Sequence, residues 1–375
     1  MDLIVKRLYQ WYKGIKAPPE MVQIYPTNKC NLKCIFCVQR LNIYNLKEEV
    51  SKKRWLEIIE EICKMGVKKF LISGGGEPLS APDKTFSIMK LIKSYNGEGR
   101  IITNGVLWNE LFIKKTISMK WNSIMFSLHG ANPETHDFLT SVNGTFNKVI
   151  KNLELFSKYK RKMNCEIPSL EFTFVLNKCN FKEVPEMIKF ASDLGVESVN
   201  IEPMCINNKD AEKIKLNEKE RKLFFKKILP EAKKLAKKLG IRNNFSKLEE
   251  FKLIEKAGEL RNEIIKLNSL KKPSKSSLLN SPCYEPWLWP KIEANGEVWP
   301  CSTIQMKTTN VKKRSFKEIW YGEEFNKFRT RILNFDLPEE CKNCVITHRP
   351  MKKEIRKNLN EFIKLSEGYG SHKRN

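Results

Sequence analysis

Residues 21–37, MVQIYPTNKCNLKCIFC, run a short apolar strand pattern straight into three cysteines, Cys30, Cys34 and Cys37. Thiolates spaced this closely can wrap one iron–sulfur cluster, for which cysteine is the usual ligand. Three ligands on four irons leave one iron open, as catalytic metal sites keep a position for substrate. Zinc is the competing occupant, but it prefers four ligands, and no fourth cysteine or histidine lies nearby in the sequence. Outward from this stretch, strand patterns at 21–25, 68–73, 99–103, 122–128, 169–176 and 197–202 alternate with helical patterns at 51–64, 83–94, 109–117, 145–158 and 182–194. Short apolar strands separated by amphipathic helices imply parallel βαβ units with right-handed crossovers. Six of them suit a barrel or an open doubly wound sheet, and periodicity does not choose. In either, ligands sit at the carboxyl ends of the strands, where the three cysteines lie.

The chain has 375 residues and a formal net charge of +26, from 69 Lys plus Arg against 43 Asp plus Glu. Such an excess attracts nucleic acid, anionic lipid or acidic substrates, or it spreads over solvated helix faces. The lysines are scattered and carry no RNA-binding signature, which favours the second reading. The 11 cysteines are an odd number. Leu3-Ile4-Val5 gives way at once to Lys6 and Arg7, which is no secretory signal. A disulfide framework is therefore not expected, and a reducing cytoplasmic setting is. No apolar run approaches the length that crosses a bilayer.

Residues 3–16 read as a short amphipathic helix, able to lie on a membrane surface or to pack against the main domain. The sequence divides into that helix over 1–20, a core over 21–214 and a lysine-rich helical region over 215–280. A second, cysteine-bearing domain over 281–350 and a basic tail over 351–375 follow. One or two long helices are expected over 215–270. In the second domain Asn295-Gly296 is a two-residue hairpin signal between Trp289, Ile292 and Val298. A helical pattern follows at 315–333.

CxxxCxxC with an aromatic, Phe36, before the last cysteine resembles the signature of the radical S-adenosylmethionine superfamily. The likeness continues through Gly74-Gly75-Gly76-Glu77-Pro78 after the second strand and Ile102-Thr103-Asn104-Gly105 after the third. It extends to Ser127-Leu128-His129-Gly130 after the fourth, then to Thr135-His136-Asp137 and Asn143-Gly144-Thr145-Phe146. The resemblance implies a partial (β/α)6 TIM-type barrel, an α/β fold. It also implies a [4Fe–4S] cluster on Cys30, Cys34 and Cys37 whose open iron binds S-adenosylmethionine. Gly75, Gly76 and Glu77 would face the methionine moiety, Ser127 the ribose or carboxylate, and Phe36 the adenine region, with Asn104 also at the cofactor. Reductive cleavage would release a 5'-deoxyadenosyl radical that takes a hydrogen atom from a substrate.

Cys283, Cys301, Cys341 and Cys344 form a second constellation, similar to the auxiliary iron–sulfur module called SPASM or its shortened twitch form, a small α+β domain. No cysteine follows Cys344, so one auxiliary [4Fe–4S] cluster is expected. Four thiolates saturate a cluster, which suits electron transfer, and four thiolates also suit structural zinc. Cys205, after the sixth strand, is a candidate hydrogen donor to a substrate radical, and packing is its plain alternative, as for Cys179. Cys63 and Cys165 are expected to be packing residues.

These features lead to a radical oxidoreductase acting on a polar small molecule, such as a carbohydrate, by oxidation or epimerisation. Its reductant would be a flavodoxin or ferredoxin, and the substrate is unknown. The alternative is peptide maturation. Only about twenty residues precede the first strand, so the winged helix–turn–helix domain that clasps peptides in such enzymes is expected to be missing. A different class altogether is a basic nucleic-acid-binding zinc protein.

Overall fold

The computed structural model describes residues 3–38, 48–206, 208–246, 248, 278–342 and 349–368. The chain falls into two compact units, one of residues 24–49 and 70–249, the other of residues 1–23, 50–69 and 250–375.

The fold is built on a mostly parallel, open sheet. Its strands, β1 (Met21–Ile24), β2 (Lys69–Ile72), β3 (Glu98–Thr103), β4 (Ser123–Ser127), β5 (Ser169–Leu176), β6 (Ser198–Pro203) and β7 (Arg242–Asn243), lie in the order β7-β6-β5-β4-β3-β2-β1. Thus all six expected strands form, and β7 is an edge strand that the sequence pattern did not announce. β3 through β7 pair in parallel, with Ser127 beside Thr173 and Thr173 beside Asn200. Strand period decides which face is covered. Ile124, Phe126, Leu170, Phe172, Phe174, Val199 and Ile201 are fully buried, and α3 (Pro82–Ser94) and α7 (Val184–Asp193) pack on this side. Met125, Ser127, Thr173, Asn200 and Glu202 alternate with them on the other face. One helix-covered face and one polar concave face make this a partial barrel.

Helix starts follow local chemistry. Asn109 accepts from Phe112 N at the head of α4 (Glu110–Ser118), and Asn132 accepts from Thr135 N at the head of α5 (Pro133–Thr140), as N-caps do. No helix was expected at 133–140. α6 (Thr145–Lys162) begins where the Asp137 carboxylate accepts from Gly144 N, Phe146 N and Thr145 Oγ1 at 2.5–2.9 Å. Among the described residues the lysine-rich region is helical in two pieces, a short one and a longer continuous one. It comprises α8 (Lys209–Lys213), α9 (Glu218–Leu223), a π turn at Phe224–Ile228 and α10 (Leu229–Leu239). Pro230 has no N–H for an α-type bond, and the preceding turn widens to accommodate it. The run stops at Gly240, and residues 249–277 lie outside the described residues.

In the second unit α1 (Leu3–Tyr12) places Ile4, Val5 and Leu8 in one apolar cluster. The same cluster holds Tyr284, Trp287, Leu288 and Cys301, with Ile355, Leu359 and Ile363 of the helix Arg349–Gly368. The apolar side of α1 is thus consumed by packing. α2 (Lys52–Lys64), capped by Ser51, buries Trp55, Ile58, Ile59 and Ile62 at helical spacing. β8 (Lys291–Ile292) and β9 (Val298–Trp299) form an antiparallel hairpin. Its loop has three residues, not two. Glu293 N donates to Glu297 O, Gly296 N donates to Glu293 O, and Gly296 takes φ +89°. This is a turn closed by a left-handed glycine, a common three-residue solution.

Candidate functional site

The cysteine loop follows β1 and is shaped from both sides. Ahead of it, the Glu49 carboxylate accepts from Thr27 Oγ1 and Asn28 N, both at 2.8 Å, and from Lys84 Nζ at 3.2 Å; Lys84 also donates to Pro26 O. Beyond it, α5 ends against the loop, where Lys33 N and Ile35 N donate to the carbonyls of Thr140 and Leu139 at 3.2 and 2.9 Å. The last carbonyls of a helix lack partners within it. Here they serve as fixed acceptors for the cysteine loop. Asn208, just after β6, donates to Ile35 O and Cys37 O at 3.2 and 3.5 Å. None of these four contributors, Glu49, Lys84, Asn208 and α5, was found in the sequence. Their only signal there is an isolated charge or a capping asparagine.

Cys30 is exposed, and Cys34 and Cys37 are half-buried. Leu32 N and Asn104 Nδ2 lie 3.5 and 4.0 Å from Cys30 Sγ, and Cys37 N donates to Cys34 O. Donors aimed at sulfur stabilise a thiolate, as cluster ligation requires. No group of three described His, Cys, Asp or Glu side chains closes around a point that would hold a single metal ion. Three thiols carried on one loop are the donor set that an iron–sulfur cluster takes.

The glycine segment is pressed against this loop. Gly76 N and Glu77 N donate to Thr27 O and Lys29 O at 3.2 and 2.8 Å. A Cβ on Gly76 would stand 2.1 Å from Lys29 O, so only glycine permits the approach. Gly75 is half-buried between Gly74 and Gly76. Glu77 turns inward. Its carboxylate accepts from Thr103 Oγ1, Asn104 N and Leu79 N at 2.7–3.1 Å and is 2% exposed. Burial pushes its carboxyl up to about 7, against those three donors. What faces outward here is the backbone around Glu77, not the carboxylate.

Asn104 bridges the two parts, donating to Asn31 Oδ1 at 2.8 Å beside Cys30. The Ser127 hydroxyl, at the end of β4, has no partner among the described residues. The Phe36 ring meets the edge of His129 with centroids 4.9 Å apart. His129 N donates to His136 Nδ1, and Val175 N to His129 Nδ1. Burial drives both imidazoles down, to about 3 and about 4, so they are neutral. Cys205 is exposed three residues before Asn208, which ties that segment to the cysteine loop. Cys179 is half-buried, and burial raises its thiol.

In the other unit, Cys283, Cys301 and Cys341 pack against the same apolar cluster, and Cys344 lies outside the described residues. Cys301 Sγ accepts from the amides of Ile304, at 3.3 Å, and Thr303. Burial pushes the thiol up to about 12. A thiolate in such a place needs a compensating cation, and an amide-bonded sulfur in apolar surroundings fits an iron–sulfur cluster. Cys63 is buried in α2, and the Cys165 thiol donates to Ile167 O at 3.1 Å.

Comparison with known families now has a site to refer to. Residues 24–191 match the radical SAM superfamily, and residues 283–345 match the SPASM iron–sulfur cluster-binding domain. The chain carries a radical SAM domain followed by a SPASM domain. It binds a [4Fe–4S] cluster and S-adenosylmethionine in the first domain and further iron–sulfur in the second, which displaces the zinc nucleic-acid-binding reading. Curated relatives include the AdoMet-dependent heme synthase of Methanosarcina barkeri, 23% identical over 86% of each chain. The PqqA peptide cyclase of Xanthomonas campestris is 22% identical over 87% of this chain and 79% of its own. Among solved structures, Streptococcus suis SuiB bound to S-adenosylmethionine superposes with a TM-score of 0.60 at 16% identity, covering 86% of this chain and 70% of that one. SuiB bound to its precursor peptide SuiA gives 0.59, covering 87% and 70%. This likeness establishes the partial-barrel fold. No helix among the described residues is long and apolar enough to cross a membrane.

Proposed function

We propose that this chain abstracts a hydrogen atom from a peptide substrate and, with its SPASM domain, oxidises or crosslinks the residue so activated. When bound, the cluster and S-adenosylmethionine supply the 5'-deoxyadenosyl radical. The observation that carries the radical chemistry is the three-cysteine loop pinned to the glycine segment by Gly76. Cys30, Cys34 and Cys37 hold the cluster, while the backbone of Gly75 and Gly76 lines the methionine portion. Asn104 fixes Cys30 against Asn31, Ser127 offers its hydroxyl to the cofactor's ribose or carboxylate, and Phe36, braced by His129, covers the adenine side. Cys283, Cys301, Cys341 and Cys344 hold one auxiliary cluster that accepts the substrate's electron. A peptide is favoured by the match over most of both chains to a PqqA peptide cyclase and by the fold shared with SuiB in complex with its precursor peptide. A polar small molecule is the second reading, favoured by the polar concave face of Ser127, Thr173, Asn200 and Glu202. In an epimerisation Cys205, which follows β6, would be the residue that returns a hydrogen atom. The setting would be a reducing one, the cytoplasm, with a flavodoxin or ferredoxin as reductant.

The test is anaerobic reconstitution with iron and sulfide, then reduction with S-adenosylmethionine. Wild type should release 5'-deoxyadenosine, and Cys34→Ala should release none; a fully active Cys34→Ala overturns the ligand assignment. Incubation with candidate precursor peptides should yield a mass loss of two protons and two electrons per modification. Turnover of a sugar alcohol in place of every peptide would select the second reading.

A further inference from the structure

The β8–β9 hairpin buries a charged pair that the chemistry above leaves unused. Lys291 and Glu293 are 4% and 3% exposed, with Nζ and Oε1 2.7 Å apart. Two residues apart on a strand, they share a face. Trp299, the cross-strand partner of Lys291, lies on that face, and Cys301 follows Trp299 by two. Lys291 Nζ stands 3.6 Å over the centre of the Trp299 ring and donates to Ser302 O at 3.2 Å, one residue from Cys301. The lysine interacts electrostatically with the Cys301 sulfur, whereas Glu293 interacts with Lys291 and Glu297. Lys291 is thus the member of the pair that is tied by a hydrogen bond to the residue after Cys301.

Burying two charges is costly, and an apolar pair of similar volume usually serves stability as well or better. Stability alone does not account for a lysine placed here. We propose that the Lys291–Glu293 pair sets the reduction potential of the auxiliary cluster at Cys301, with the ammonium favouring the reduced form. The inference rests on the reading that Cys301 ligates that cluster. Reduction adds one electron, and so one negative charge, to a cluster in surroundings of low polarity. A nearby cation stabilises the added charge, and net charge around a cluster is a principal determinant of its potential.

The experiment is an EPR-monitored redox titration, under dithionite, of the full chain carrying Cys30→Ala, Cys34→Ala and Cys37→Ala, so that only the auxiliary signal remains. Lys291→Met should lower the midpoint potential, and Glu293→Gln, which removes the counter-charge, should raise it. Opposite shifts are the signature of a charge effect that a packing role would not produce. Unchanged potentials, or shifts of the same sign, overturn the proposal. If Lys291→Met fails to take up iron, the upward shift in Glu293→Gln decides alone; if neither variant holds the cluster, the pair is structural and the proposal falls. Cys301→Ala separates the underlying reading: a signal that persists without Cys301 sinks the ligand assignment, while a signal lost there but unmoved by the pair sinks only the tuning.

Discussion

At the scale of single residues, the site depends on side chains that never reach the cofactor. Glu77 is the acceptor for three donors from two strand ends, so Glu77→Ala strands Thr103 Oγ1, Asn104 N and Leu79 N together. Each buried donor left unmade costs on the order of 1–3 kcal/mol, and a total of about 3–5 kcal/mol is expected in chemical denaturation. The same residue carries a pH dependence. Its folded pKa of about 7 lies above the 4.5 of an unperturbed carboxyl. The stability it contributes is thus complete below about 4.5 and is lost as pH rises through about 7. Glu77→Gln should flatten that slope in anaerobic thermal melts between pH 5 and 8; an unchanged slope would assign it to another group. For Gly76→Ala, a methyl forced 2.1 Å from Lys29 O should cost roughly 1–3 kcal/mol and lower iron uptake together. Gly76 was legible in the sequence because glycine has a steric meaning. Glu77 was legible only as part of a motif, and its actual role, tying β3 to the glycine segment, needed the fold.

At the scale of elements, α5 is the structural surprise. Its two terminal carbonyls hold Lys33 N and Ile35 N between the cysteines. Asn132→Ala removes its N-cap at a cost of about 1 kcal/mol. The expected readout is faster iron loss to a chelator with little change in secondary structure, and an unchanged rate would detach α5 from the cluster loop. The helix escaped the sequence because Pro133–Thr140 spans barely two turns, too short for a periodic signal to separate it from its polar neighbours. The hairpin loop teaches the converse. Asn295-Gly296 announced a turn correctly, but loop length is set by which strand residues pair, here Glu293 with Glu297. Gly296→Ala, with φ +89° and Asn310 Oδ1 2.6 Å from the added carbon, should destabilise the hairpin by about 1–2 kcal/mol.

At the scale of the whole molecule, the SPASM-bearing unit draws on the chain's first helix. Leu8 is fully buried in the cluster that also receives Cys283, Cys301 and Cys341. Leu8→Ala should cost about 2–5 kcal/mol and weaken auxiliary iron retention, while leaving the iron on Cys30, Cys34 and Cys37 in place; equal loss from both sites would contradict that partition. By itself the sequence determined the six strands, the three-cysteine loop at a strand's carboxyl end and the glycine segment. Each of these is a local pattern, apolar period or ligand spacing, that neighbouring residues fix. Only the tertiary structure decided that α1 packs under the second cysteine set, and that Glu49, Lys84, Asn208 and α5 shape the first. The same holds for Lys291, whose charge reaches Cys301 through the facing strand. These are contacts between residues tens to hundreds of positions apart, and they come into being only when the chain closes on itself.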